Sequence, residues 1–236
     1  MGLCQPDNLN FSCGACCGLF NLKLSSSEYE KILTERTRFM ESSVDFEKPW
    51  TVSNFRKKRE KEEENHKKND ETIYNCPYLG YIDDNRKKIG CMIHPGKTKN
   101  PLSQNFSFYG ASICQGYICK NIDRDTSSDW ESIFISMNLD SYMYSELSAD
   151  HITIECIEGF FKEKKIPIKY IFNNYSSLIK EILLHKFNKS KTSLLNMTSF
   201  ELDMNTNYID NYFDKLVLRL DLMPADELYN KLIALK

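Results

Sequence analysis

No stretch of this 236-residue chain approaches the ~20 apolar residues that a membrane-spanning helix requires. The least charged segments, such as residues 133–139, fall far short of that length. The opening also lacks the pattern of an export signal. Its first basic residue is Lys23, Asp7 interrupts it, and no apolar run precedes Cys4, so a cytoplasmic address is expected. A surplus of one charge is missing too. With 31 Lys and Arg against 33 Asp and Glu, nothing in the balance calls for nucleic acid or an anionic membrane. The glycine motifs of nucleotide sites are absent. Gly96-Lys97-Thr98 resembles the end of a phosphate loop, but Cys91 stands where that loop needs its first glycine. No G-x-G-x-x-G follows a strand-like segment, and no Ser-His-Asp or Cys-His grouping has context to support it.

Cysteine, by contrast, is plentiful. There are nine, and eight of them (Cys4, Cys13, Cys16, Cys17, Cys76, Cys91, Cys114, Cys119) lie in the first half, with Cys156 alone beyond. In a reducing compartment such density points to metal or redox chemistry rather than disulfides. Cys13-Gly-Ala-Cys16-Cys17-Gly18 is the most informative run. A two-residue gap lets two thiolates turn toward one ion, and the glycines let the backbone bend close beside it. Cys114-x4-Cys119 supplies a second pair, and Cys76 and Cys91 face each other if the segment between them forms a hairpin. Seven thiols, with His94 or Cys4 as an eighth donor, would fill two four-coordinate sites of zinc or iron–sulfur. One site with the remaining thiols buried fits the spacing equally well. So does a redox pair, either Cys16–Cys17 or Cys13–Cys16. Cys156, on an apolar helical face, reads as a core residue.

The hydrophobic pattern predicts an α+β chain in two parts. Residues 1–125 form a loop-rich cysteine module, and residues 126–236 a mainly helical region. In the module, Ser25 and Glu28 make a capping box, and Tyr29, Ile32, Leu33 and Met40 follow at helical spacing. Cys76-Pro77-Tyr78-Leu79, Asp83-Asp84-Asn85 and Ile89-Gly90-Cys91-Met92-Ile93 read as a short β-hairpin. Residues 56–71 carry seven Lys/Arg and six Asp/Glu with no apolar side chain. That run is expected to be a solvated helix extension or a mobile insertion.

In the second part, Ser128 and Glu131 suggest another capping box, followed by Trp130, Ile133, Phe134 and Met137 on one face. Further amphipathic sets are Cys156, Ile157, Phe160 and Phe161; then Leu178, Ile179, Ile182 and Leu183; then Tyr208, Ile209, Tyr212, Phe213, Leu216, Val217 and Leu220. Pro224 suits the first position of a terminal helix.

The order Phe11-x-Cys13-Gly14-x-Cys16-Cys17, then Cys76-Pro77-Tyr78-Leu79, then Gly90-Cys91-Met92-Ile93 resembles the YkgJ-type cysteine-cluster family of zinc- or iron-chelating proteins. The likeness covers about residues 8 to 120. Asn10 stands where that family has its first cysteine, His94 where a tyrosine is usual, and Cys114 arrives only after a long insertion. The resemblance implies a metal held by Cys13, Cys16, Cys17, Cys76, Cys91, Cys114 and Cys119. A branch similar to flagellin lysine methylases implies an alternative, a protein-lysine methyltransferase with an iron–sulfur cluster and S-adenosylmethionine. A third expectation is an interaction module, braced by a structural metal, that meets a protein partner through residues 56–71.

Overall fold

The Ser25 capping box sets the first helix. In the computed structural model, which describes residues 3–6, 9–69, 71–121, 124–190 and 210–235, the Glu28 amide donates to the Ser25 hydroxyl. The Ser25 amide in turn donates to the Glu28 carboxylate at 2.7 Å, so two end-of-helix donors are satisfied reciprocally. Helix α1 (Ser26–Ser43) follows, with Tyr29, Ile32, Leu33 and Met40 buried as their spacing predicts. Helix α2 (Pro49–Glu63) opens on proline, where a missing amide costs nothing.

Of the two expectations for the charged run, the helix extension holds for residues 56–63, with Lys57, Lys58, Lys61 and Glu62 exposed. Residues 56–63 complete α2, where Arg59 is buried and the half-buried Glu63 meets the buried Arg36 of α1. Glu63 accepts from Arg36 and, at 2.7 Å, from Arg59. Burial alone would raise the Glu63 pKa, but the two guanidinium groups outweigh it and hold the carboxyl below its ordinary value. The run looked self-contained because its charges nearly cancel within it. One of its carboxylates belongs instead to a cation on another helix. Beyond α2 the chain turns back, and Lys68 pairs with Leu22 in an isolated antiparallel bridge.

Strands β1 (Leu79–Tyr81) and β2 (Ile89–Cys91) form the expected antiparallel hairpin, with Leu79 opposite Cys91. The Asp83 carboxylate closes its turn by accepting the Lys87 and Lys88 amides at 3.0 and 2.7 Å. Two apolar clusters meet the hairpin. Leu79, Tyr81 and Ile89 pack with Leu19, Leu22, Tyr29, Ile32 and Leu33. Tyr78, Met92 and Ile93 pack with Met40, Val52, Phe55 and Cys76. Past the hairpin come α3 (Pro95–Thr98), a 3-10 turn (Ser103–Phe106) and α4 (Gly110–Gly116).

These elements belong to a unit comprising Cys4–Cys119 and Asp140–Ser145. The boundary therefore falls earlier than the expected position 125, and a short later segment joins the module. The reason is hydrogen bonding: Ser141 and Ser145 supply hydroxyls that loop amides need. The Ser12 amide donates to Ser141 Oγ at 3.1 Å, and the Gly14 amide to Ser145 Oγ at 2.9 Å.

The other unit comprises Met1–Leu3, Lys120–Leu139 and Glu146–Lys236. It holds α5 (Ser127–Ile135), the second part of α6 (Ser141–Ala149), α7 (His151–Glu163), α8 (Ile168–Asn174), α9 (Ser176–Ser190), α10 (Tyr212–Leu220) and α11 (Glu227–Ile233). Trp130, Phe134, Phe160, Phe161, Ile182, Leu216 and Leu220 are buried in it. Tyr208 and Ile209 lie outside the described residues.

Two expected helix starts move. The cap of α5 is Thr126 rather than Ser128, and it makes no side-chain capping bond. Its hydroxyl donates to Glu158 at 2.5 Å instead. Pro224 precedes α11, whose cap is Asp226. Among the described residues the chain is α+β and mainly helical, with eleven α-helices and one two-stranded hairpin. No helix among them is long and apolar enough to cross a membrane.

Candidate metal centre

The cysteine loop is built from two consecutive 3-10 turns, Ala15–Cys17 and Leu19–Asn21, hinged at Gly18. Gly18 has a φ of 77°, a left-handed conformation that side chains resist. It also has no room for one. A Cβ there would collide with the Tyr74 carbonyl oxygen and lie 3.2 Å from Asn75 Cα. The hinge thus lets the first cysteine loop lie directly on the segment leading to Cys76. Hydrogen bonds stitch the two together. The Asn75 side-chain amide donates to the Gly18 carbonyl, and Asn21 Nδ2 donates to Ile73 O at 2.9 Å and Asn75 Oδ1 at 3.0 Å. The Cys76 amide donates to the Cys17 carbonyl at 3.0 Å. From the opposite side, Arg36 Nη1 donates to the Cys76 carbonyl at 3.1 Å.

This lacing brings sulfurs together from distant parts of the chain. Cys16, Cys17 and Cys76 lie near enough to alter one another's ionisation. Cys17 and Cys91 pack against the apolar cluster that contains Cys76. Cys76 is buried, Cys17 and Cys91 are half-buried, and Cys16 is exposed, so the group opens to solvent on one side. Cys91 and Cys114 lie near enough for Cys76 to oppose their ionisation, and Cys16 and Cys119 do the same to Cys4. Cys4, Cys16, Cys17, Cys76, Cys91, Cys114 and Cys119 are thus linked, pair by pair, through their influence on one another's ionisation.

The ionisation pattern follows from that crowding. The hydrogen bond from Cys17 brings Cys76 down to about 7, against burial and with help from the Tyr78 amide, Ser107 and the Arg36 charge. Cys16 is lowered by the same donor, Cys17. Cys17 itself is raised far above its ordinary value, by its interaction with Cys16 and Cys76 first and by desolvation after that. Burial pushes Cys91 and Cys4 up to about 12 and raises Cys114 as well. Such a set cannot ionise together without a cation among the sulfurs, and a bound metal ion is one that displaces their protons.

Other candidates fall differently. Cys13 points its sulfur at the Ser145 carbonyl, 4.0 Å away. His94 is exposed, and its Nδ1 accepts the Gly96 amide at 3.1 Å as the cap of α3. That leaves the ring serving a helix end. Cys156 is a buried core thiol of the helical unit, raised to about 12 by burial, as its helical face predicts. Among the described residues no group of three or more His, Cys, Asp or Glu is placed so that it could hold a metal ion.

Three residues that local motifs do not reveal complete the surroundings. Gln104 Nε2 donates toward Cys91 Sγ at 3.9 Å, Ser107 Oγ lies 3.8 Å from Cys76 Sγ, and Arg36 places its charge beside Cys76. Gln104 and Ser107 sit at the 3-10 turn after the hairpin, inside the stretch that reads in sequence as a mere excursion. Only the turn's position over the sulfurs gives them meaning. No family model, curated protein or solved structure matches this chain.

Proposed function

We propose that this protein is a thiolate metal-binding protein whose centre holds zinc or an iron–sulfur cluster. Cys16, Cys17 and Cys76 are its inner donors, Cys91 and Cys114 complete it, and Cys4 and Cys119 stand at its rim. The observation that carries this reading is the joining of two loops far apart in the chain, where the Cys76 amide donates to the Cys17 carbonyl at 3.0 Å and Cys17 and Cys91 pack against the cluster that contains Cys76. An all-sulfur donor set suits zinc and iron–sulfur clusters and is foreign to magnesium or calcium. Nine free thiols also fit a reducing, cytoplasmic setting. The resemblance of residues 8 to 120 to the YkgJ-type family supports the same conclusion, since that family is read as metal-chelating.

The test is the zinc, iron and acid-labile sulfide content of untagged protein purified anaerobically without chelators. At least one zinc ion or one cluster per chain is expected, brown with iron–sulfur and colourless with zinc, whose d shell is full. The double variant Cys17→Ser/Cys76→Ser should lose it. Wild-type protein with no metal, or a double variant with undiminished metal, would contradict the assignment.

A further inference from the structure

A cleft of about 570 Å³ opens along α7 in the helical unit, within the size range of small-ligand sites. Its floor is made by a missing side chain. Gly159 sits mid-helix, where glycine weakens the element, and the Tyr212 ring lies on it so closely that a Cβ would come within 2.4 Å. Ile168 and Ile171 of α8 add to the apolar lining. Glu155 and Lys162 also line the cleft, and seven helical residues set them about 10 Å apart along α7. Lys165 joins the lysine end. Neither end is neutralised. Lys162 has Glu158 four positions before it, the spacing at which helix ion pairs form. Glu158 is committed elsewhere, accepting from Arg124 at 2.6 Å, from Trp130 Nε1 at 2.9 Å and from Thr126. Glu155, Lys162 and Lys165 are exposed and make no ion pair among the described residues. Lys165 also holds a φ of 58°, the left-handed position just past a helix end that ordinarily falls to glycine.

We propose that this cleft binds a short apolar peptide by its free termini, the carboxylate at Lys162 and Lys165 and the ammonium group at Glu155. The length agrees, since three extended residues span about 10 Å at 3.3–3.6 Å each. The peptide's side chains lie over Tyr212, Ile168 and Ile171, which supply the apolar contact. Charge complementarity selects this occupant. An anionic amphiphile leaves its apolar end against Glu155, and a cationic one leaves its own against the two lysines. A ligand carrying both charges, one at each end, answers both. The cleft lies wholly within the helical unit, so the inference stands apart from the chemistry of the sulfurs.

Trileucine is the probe, added to the full chain and followed through the ring resonances of Tyr212 and the methyl resonances of Ile171. Saturable shifts at both residues are expected at millimolar peptide. Glu155→Gln and the double variant Lys162→Gln/Lys165→Gln alter exposed side chains, so the melting temperature should stay in place. Each should weaken binding about 2–5-fold, the scale of exposed ion pairs. N-acetylated trileucine should bind wild type more weakly and be indifferent to Glu155→Gln. Trileucine amide should likewise be weaker and indifferent to the lysine variant. If either variant fails to fold, the two blocked peptides on wild-type protein carry the test by themselves. No shift at Tyr212 and Ile171 would overturn the proposal, and so would affinity that survives blocking of both termini. An acetylated peptide that binds as tightly as the free one would also overturn it, giving the cleft to an anionic amphiphile. Shifts at these residues that grow with protein concentration alone, and vanish in the lysine variant, would give it to a second copy of the chain instead.

Discussion

At the scale of single residues, the centre depends on Gly18 more than on any one sulfur. Its left-handed φ of 77° and the carbonyl packed against its α-carbon are both tolerated only without a side chain. Gly18→Ala meets a backbone penalty of about 1 kcal/mol, and the added methyl must also push the segment before Cys76 aside. A loss of roughly 2 kcal/mol or more in urea unfolding is expected, together with weaker metal binding, because the displaced segment carries Cys76. An alanine variant as stable as wild type would show that the two loops are not pressed together there. The sequence made the glycine visible as a companion of Cys17, but not what it touches. Tyr74 and Asn75 are remote in the chain, and no local pattern announces a contact of that range. Gln104 was hidden for the same reason, having no meaning apart from the sulfur it faces.

At the scale of elements, local signals translated well and long-range partners did not. The box at Ser25 and Glu28 is a contact within one turn, so two residue types at fixed spacing reveal it. The similar pair at Ser128 and Glu131 misleads because Thr126 starts the helix and gives its hydroxyl to Glu158 on α7. Residues 56–63 extend a helix as expected, but composition does not show that Glu63 answers to Arg36 on α1.

A third buried ion pair joins α7 to α10. Asp150 caps α7 by accepting the Thr153 amide at 3.0 Å and also accepts from Arg219 of α10 at 2.8 Å, with both side chains 3% exposed. Burial alone would raise the Asp150 pKa, but Arg219, Lys186 and Thr153 outweigh it and bring it below the ordinary value. The folded state therefore holds this proton less tightly than the unfolded chain. The pair's stabilisation is complete above the unfolded carboxyl pKa of about 4, and it drains away as pH falls through the lower, folded value. Arg219→Leu, which strands the carboxylate, should cost about 3–5 kcal/mol at pH 7. The difference from wild type should shrink in acid, as unfolding curves taken across that range would reveal. A difference that stays constant with pH would mean that packing, not charge, holds the two helices.

At the scale of the whole molecule, the chain divides its work between two units of unlike chemistry. The helical unit is organised by apolar faces and the buried Asp150–Arg219 pair. In the cysteine unit, two short strands and several single turns are laced by side-chain amides and hydroxyls around a set of thiols. Thiols so placed would repel one another once ionised, and under the proposed function a metal ion would convert that repulsion into binding. The division was legible in the sequence because sulfur and glycine crowd into the first half. The place of residues 140–145 in the first unit was not, since it depends on serine hydroxyls serving amides more than a hundred positions earlier.

The convergence of thiols on one ion is tested most directly by X-ray absorption at the edge of the metal bound to anaerobically purified protein. The expected result is a ligand shell of sulfur at about 2.3 Å that is lost in Cys17→Ser/Cys76→Ser. A shell made only of oxygen and nitrogen, or one indifferent to those two substitutions, would contradict it.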